Sequence, residues 1–388
     1  MSELIIKESI VSVDWLYANL DASNLIILDS SIPKVTKGDI YVVEGGRISK
    51  TIFFDLKNKF SDTNGKFPNT GPSQEQFTKA AQVLGINKNS AIVIYDTSGI
   101  YSSARAWWLF KIFGHNNVAV LNGGLPEWKR KDFPLEIKQN HKIENDGNFI
   151  ARYQKGFLLF FEDIIAIEND PKFTILDARS ENRFNERVEE PRKGLRSGRI
   201  PNSLNLPFDN LLRKGNLLSK DALKSIFNNA TQNKENLVFS CGSGITACIL
   251  ALGADVLGYK NIAVYDGSWT EYGSLINNKK TMHWTKEELV AYTLIYAANS
   301  NFIEDNKERN MIIEHVDMQT FQKIHDEFDA DNDYQSLQKI SAGLKAHNYT
   351  HQDIDELLKE IKLMFFADGE FDVLERMVFR SLKSLLEK

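Results

Sequence analysis

The sequence predicts an α/β protein: two tandem parallel-sheet domains followed by a small all-α domain. Three observations predict it. First, short apolar runs alternate with helical segments over the first 280 residues. LIILD at 25–29, AIVIYD at 91–96 and NVAVLNGG at 117–124 read as buried strands, and SSARAWWLFKIFG at 102–114 reads as a helix with a glycine stop. Second, the same order recurs. FTILDAR at 173–179, NLVFSCGSG at 236–244 and NIAVYDGSWTEY at 261–272 echo the first three runs. Asp29 lies 67 residues before Asp96, and Asp177 lies 64 before Cys241. Matching elements at nearly equal intervals mean a duplicated unit. Third, strand signals vanish after about residue 280.

Each part follows from local chemistry. The junction between the repeats falls near 135–155, where KQNHKIENDGN is polar and rich in turn formers. Domains are therefore expected over 1–140, 155–278 and 281–388. In the last of these, five segments carry amphipathic helical spacing. Thr285 followed by Glu288, and Thr350 followed by Asp353, are capping-box starts.

Composition narrows the function. The 388 residues carry a net charge of −5, with 42% hydrophobic and 26% charged residues. That balance excludes wholesale disorder. The mild acidic excess argues against a nucleic-acid partner, which requires a basic surface. No stretch approaches the roughly 18 apolar residues of a membrane span. The opening MSELIIKESIVSVDWL lacks the apolar core of a secretory signal, so a cytoplasmic location is expected. Two cysteines cannot build a disulfide framework.

Cys241 is the most informative residue. It directly follows NLVFS, which places it at the carboxyl edge of a buried parallel strand, where ligands bind in such sheets. Gly242, Ser243, Gly244, Ile245 and Thr246 lead into the helix ACILALGADVLG. Two glycines let the backbone curl so that N–H groups converge, and such a nest favours a thiolate nucleophile. Cys248, inside the apolar helix, reads as core packing. The first repeat has Asp96, Thr97, Ser98 and Gly99 at the matching loop, so one repeat is expected to be reactive and the other catalytically inactive. A cysteine phosphatase would need an arginine where Ala247 stands.

The segment CGSGITA at 241–247 resembles the active-site loop of two-domain rhodanese-type sulfurtransferases. YSSARAWWLFKIFGH, LNGGLPEW, DARSENRF, EEPRKGLRSGRIPNSLNLPF and YDGSWTEYG extend the resemblance over residues 5–280. The neutral Cys-Gly-Ser-Gly-x-Thr form is typical of 3-mercaptopyruvate enzymes, whereas thiosulfate enzymes usually carry Arg-Lys after the cysteine. The resemblance implies tandem rhodanese-like domains and a Cys241 persulfide. Sulfur would pass from 3-mercaptopyruvate, or alternatively thiosulfate, to cyanide or a thiol acceptor such as thioredoxin, with no cofactor. It implies that Arg183 and Arg192 bind the donor's carboxylate, which suits a bidentate guanidinium. It places Ser243 in catalysis, and the backbone of Gly242, Gly244, Ile245 and Thr246 around the sulfur. Relatives carry Asp-His-x-x-Pro in the first domain; FSDTNGKFPNTGP at 60–72 retains Asp62 but has Asn69 at the histidine position. Asp62 alone is carried over as a binding residue.

Beyond residue 280, FFADGEFDVLER at 365–376 is similar to TerB-like helical domains, with Asp368, Asp372 and Glu375 at a helix turn. These acids read equally as turn chemistry, and no metal site is expected. DADND at 329–333 lacks the glycine of an EF-hand loop. A helical adaptor that carries persulfide as a secondary property is the competing reading.

Overall fold

The computed structural model describes residues 3–32, 46–137, 143, 145–231, 234–276, 284–299, 306–329, 331, 333–366 and 373–386. The chain divides into two compact units, Met1–Ser274 and Leu275–Lys388.

The first unit contains two five-stranded parallel sheets. The spatial order in one is Ile10–Val11, Val118–Leu121, Ala91–Tyr95, Leu25–Asp29, Thr51–Phe53. The other runs Leu204–Asn205, Phe173–Asp177, Asn236–Ser240, Ile262–Tyr265, Leu158–Leu159. The central pairs share a register: Asp29 sits opposite Tyr95, and Asp177 opposite Ser240. Asp96 and Cys241 thus leave their sheets at equivalent points. The central strands are buried on both faces, which is why they read as continuous apolar runs.

Helices Ser102–Ile112 and Ala247–Leu257 follow the two loops. Both are apolar nearly all round, so each must be covered on every side. They pack against each other, and the two repeats share a core that includes Trp107, Trp108, Phe239, Cys248 and Leu252. The LNGGLPEW run does not end in a turn alone. Gly124–Arg130 is a helix, and Pro126 sits in its first turn, where a missing N–H costs nothing. The two-residue edge strands Ile10–Val11 and Leu158–Leu159 are too short to leave a periodic signal.

A ribbon from the second repeat, Leu212–Arg213 with Asn216–Leu217, turns through Lys214 (φ +50°) and Gly215 (φ +78°). Two left-handed residues in succession are the hairpin geometry that matches strand twist. Its tip lies on the first repeat's loop, so closely that a Cβ on Gly99 would stand 2.6 Å from the Gly215 Cα.

The second unit is helical. Its core gathers Trp284, Leu289, Tyr292, Ile295, Phe321, Ile324, Ile340, Leu357, Ile361, Met364 and Leu382. Both capping boxes form: Thr285 accepts from the Glu288 N–H and Thr350 from the Asp353 N–H, while each acid receives the N-cap N–H in return. Asp331 accepts from the Tyr292 hydroxyl at 2.6 Å and pairs with Lys339, which also meets Glu327 at 2.6 Å. Asp368 and Asp372 lie outside the described residues. Among those residues, no helix is long and apolar enough to cross a membrane.

Candidate active site

Strand Asn236–Ser240 delivers Cys241 to the carboxyl edge of its sheet, and the side chain is 2% exposed. Gly244 is dictated by backbone and space, while Gly242 leaves room for the Arg183 guanidinium. A Cβ on Gly242 would meet Arg183 Nη2 at 2.9 Å, and one on Gly244 (φ +74°) would meet the Asp266 carbonyl at 2.6 Å. Ser243 and Ile245 are buried, and Thr246 precedes the helix that starts at Ala247 without a side-chain capping bond. Cys248 lies one turn further on. Its Sγ donates to the Gly244 carbonyl at 3.3 Å, and burial pushes its thiol up to about 12. It therefore keeps its proton and packs, as its place in the apolar helix suggests.

The first repeat shows why its loop carries no nucleophile. The Asp96 carboxylate turns inward and accepts the N–H groups of Ser98 (2.8 Å), Tyr101 (2.8 Å) and Ser103 (2.9 Å), and the Ser103 hydroxyl at 2.7 Å. The nest is filled by the chain's own anion. In the second repeat a thiol occupies that position.

Ser268 is a residue that the sequence reading missed. It opens the helix Ser268–Leu275 in a left-handed conformation (φ +51°). Its hydroxyl oxygen accepts the N–H groups of Cys241 and Gly244, each at 3.1 Å, and lies 3.8 Å from Sγ. The first repeat has Gly124 (φ +52°) at the same position, where a Cβ would stand 2.5 Å from two carbonyl oxygens. A serine held where its echo is glycine is the signal that aligning LNGGLPEW with YDGSWTEY would have exposed.

The arginines divide by partner. Arg183 is clamped by Glu190 through Nη2 (2.5 Å) and Nε (3.2 Å). Arg192 Nη1 donates to the Thr270 hydroxyl at 2.8 Å, and Thr270 N–H donates to the Gly242 carbonyl at 2.9 Å. Arg192 is thereby tied to the cysteine loop. Burial depresses its pKa and neighbouring Arg183 adds to this, while Cys241 opposes them. Arg179 is structural: it pairs with Asp177 at 2.7 Å and Glu190 at 2.9 Å, and stacks on Trp269. Tyr101, from the first repeat, also reaches this group. Burial raises its phenol, Cys241 and Asp96 raise it further, and Arg183 and Arg192 pull it down.

The 60–72 loop meets the site through Asn69 rather than Asp62. Asn69 Nδ2 donates to the Ser243 hydroxyl at 3.0 Å. Asp62 Oδ1 accepts from the Asn64 N–H at 2.9 Å, within its own turn. Buried Arg105 anchors the loop. Its Nη2 donates to the Asn69 carbonyl at 3.0 Å and to Asp266 Oδ1 at 2.6 Å, while Asp266 Oδ2 accepts the Gly71 N–H at 2.7 Å.

The rhodanese-like domain model matches residues 12–131 and 161–275. This chain belongs to the rhodanese-type sulfurtransferases. It is 36% identical over 292 residues to thiosulfate/3-mercaptopyruvate sulfurtransferase 1, mitochondrial, of Arabidopsis thaliana, covering 69% of this chain and 76% of the relative. It is 34% identical over 268 residues to 3-mercaptopyruvate sulfurtransferase of Escherichia coli K12, covering 68% and 94%. The crystal structure of SseA from Escherichia coli superposes with a TM-score of 0.61 at 32% identity, covering 68% of this chain and 99% of that one. The family thus accounts for both sheets and makes the chain a sulfurtransferase, an enzyme that takes sulfur from a small-molecule donor. The helical second unit lies beyond the matched segments.

Proposed function

We propose that the protein transfers sulfur from 3-mercaptopyruvate through a persulfide on Cys241. The observation that carries this reading is the pairing of a buried cysteine in an uncharged Gly-Ser-Gly loop with Arg192 tied to that loop through Thr270. A keto acid offers one carboxylate for Arg183 and Arg192 and one sulfur for Cys241. A dianionic sulfonate would favour a cation next to the sulfur, where the chain has Ser243.

The steps balance as follows. The Cys241 thiolate attacks the donor's sulfur, an S–S bond forms and the C–S bond breaks. The electron pair passes to carbon as the enolate of pyruvate, and the proton of the donor thiol ends on that carbon. An acceptor thiolate then attacks the outer sulfur and restores the Cys241 thiolate. Backbone N–H groups of Gly242, Ile245 and Thr246 surround the sulfur in this reading, while that of Gly244 is taken by the Ser268 hydroxyl. Asp62, engaged with Asn64, is left to shaping its loop. Thiosulfate is the second donor to test, since a relative's name joins both.

The acceptor in this reading is a small thiol or a dithiol protein such as thioredoxin, in the cytoplasm. Residues 1–140 form an inactive domain, 155–278 the catalytic one and 281–388 a TerB-like helical domain. The test is steady-state transfer from each donor, by wild type and Cys241→Ser. Turnover preferring mercaptopyruvate and lost in the variant supports the reading. A well-folded wild type that turns over neither donor removes it and leaves a persulfide carrier working through its helical unit.

A further inference from the structure

Asn69 enters the site from the other repeat, and it is held on three sides. Its backbone is left-handed (φ +64°), a conformation that asparagine tolerates better than most residues. Arg105 grips its carbonyl, and Asp266 takes the N–H of Gly71 two residues on. Arg105 and Asp266 are themselves paired at 2.6 Å, each nearly fully buried. The carboxamide is therefore presented to Ser243 by a rigid clamp.

The direction of this hydrogen bond matters. Nδ2 donates, so it occupies a lone pair on Ser243 Oγ. The hydroxyl hydrogen of Ser243 is then directed elsewhere, toward whatever lies in the site. A carboxamide does not gain or lose a proton in the working range, so it cannot draw that hydrogen off as a base would.

We propose that Asn69 is a positioning residue that fixes Ser243 as a hydrogen-bond donor to the reacting substrate, with no titrating partner behind it. The proposal rests on the mercaptopyruvate reading above. As the C–S bond breaks, charge develops on the keto oxygen of the departing enolate, and a fixed donor stabilises it without taking part in proton exchange. The charged and titratable groups around the contact are Arg105 and Asp266 beneath it, Cys241 and Cys248 in the loop and helix of Ser243, Arg183 beside Gly242, and Asp62 on the loop of Asn69.

Asn69→Asp tests the direction directly. The side chain keeps its shape and tolerates the left-handed backbone, but a carboxylate only accepts, so it turns the Ser243 hydrogen toward itself. At pH 7.5 kcat with mercaptopyruvate should fall roughly tenfold, the worth of about one hydrogen bond. As pH drops through the carboxyl range the new side chain protonates and becomes a donor again. The ratio of variant to wild-type kcat should then climb toward one, while other ionisations cancel in the ratio. Adding Ser243→Ala should remove the difference between the two. Asn69→Gly, which keeps the backbone and lacks both donor and acceptor, covers the case in which Asn69→Asp does not fold. It should show a similar loss with no pH-dependent recovery, and that loss too should vanish beside Ser243→Ala. A ratio that stays flat with pH, a variant as active as wild type, or a defect that persists in full beside Ser243→Ala overturns the proposal. Those outcomes with an active wild type overturn it alone; a wild type that forms no Cys241 persulfide overturns the functional reading as well.

Discussion

Asn122 and Asp266 occupy the same position in the two repeats, and each accepts a backbone N–H from the opposite repeat: Asn122 from Leu217 at 2.8 Å, Asp266 from Gly71 at 2.7 Å. The relationship is a local two-fold swap. The 60–72 loop of the first repeat covers the cysteine loop of the second, and the 212–217 ribbon of the second covers the Asp96 loop of the first. Only one of the swapped contacts is charged, because Asp266 also meets Arg105.

That charge makes the clamp costly to break. Arg105→Leu strands the buried Asp266 carboxylate, and the loss of stability should be about 3–5 kcal/mol. Chemical denaturation followed by tryptophan fluorescence reads it. The double change Arg105→Leu with Asp266→Leu should recover part of the loss. Equal losses in single and double variants would mean that the pair contributes nothing specific.

Ser268→Gly separates conformation from chemistry. Glycine relieves the left-handed strain at φ +51° but removes the oxygen that takes the Cys241 and Gly244 N–H groups. Stability should change by less than about 1 kcal/mol, with strain relief offsetting lost hydrogen bonds. Turnover should fall roughly tenfold or more, since the loop loses the group that sets its curl. Unchanged kcat would show that the loop holds its shape without the serine.

The two thiols should behave differently. Brief iodoacetamide treatment of the native protein should modify Cys241 and block transfer, while Cys248 stays unmodified until the chain unfolds. Peptide mass analysis reads both sites. Both side chains are buried, but Cys241 stands on a loop at the sheet's carboxyl edge, whereas Cys248 is packed inside its helix with its thiol pushed up to about 12.

Arg192→Met removes the cation tied to the loop through Thr270, whose hydroxyl still donates to the Gly242 carbonyl. The KM for mercaptopyruvate should rise at least roughly tenfold, a charge-assisted hydrogen bond being worth about 1.5–3 kcal/mol. Arg192→Lys should recover little of it, because an ammonium lacks the planar fork. A KM unchanged in both variants would place the carboxylate elsewhere.

His115 provides a pH signature of folding. It is buried, bonded through Nε2 to the Ser90 carbonyl at 2.8 Å, and burial depresses its pKa below 6.5. The unfolded chain therefore takes up a proton that the folded chain refuses. Stability contributed by neutral His115 is present above pH 6.5 and declines as pH falls toward the depressed value. Denaturation midpoints of wild type should drop over that window more steeply than those of His115→Gln.

The strands, the duplication and the cysteine loop at the strand edge were legible because each rests on local pattern. NLVFS followed by CGSG announces a strand edge and a curled loop in nine residues. The capping boxes at Thr285 and Thr350 were legible for the same reason. Ser268 was not, since its role depends on a left-handed backbone and on two N–H groups 24 and 27 positions away. Tyr101 and Asn69 belong to the first repeat, and nothing in their own neighbourhoods says that they face the other one. Asp62 was the residue to hand in a resemblance, but the fold turns its carboxylate to Asn64 and advances Asn69.

The crossed covers have a consequence for inheritance. Each half of the duplicated region supplies the roof of the other, so neither half is a finished module. A gene split between them, or a protease cut that lets them part, would bare the cysteine loop on one piece and the Asp96 loop on the other. The duplication was free to put an aspartate where the other half has its cysteine, but it could not discard that half: the Asp96 copy remains the lid of the Cys241 copy.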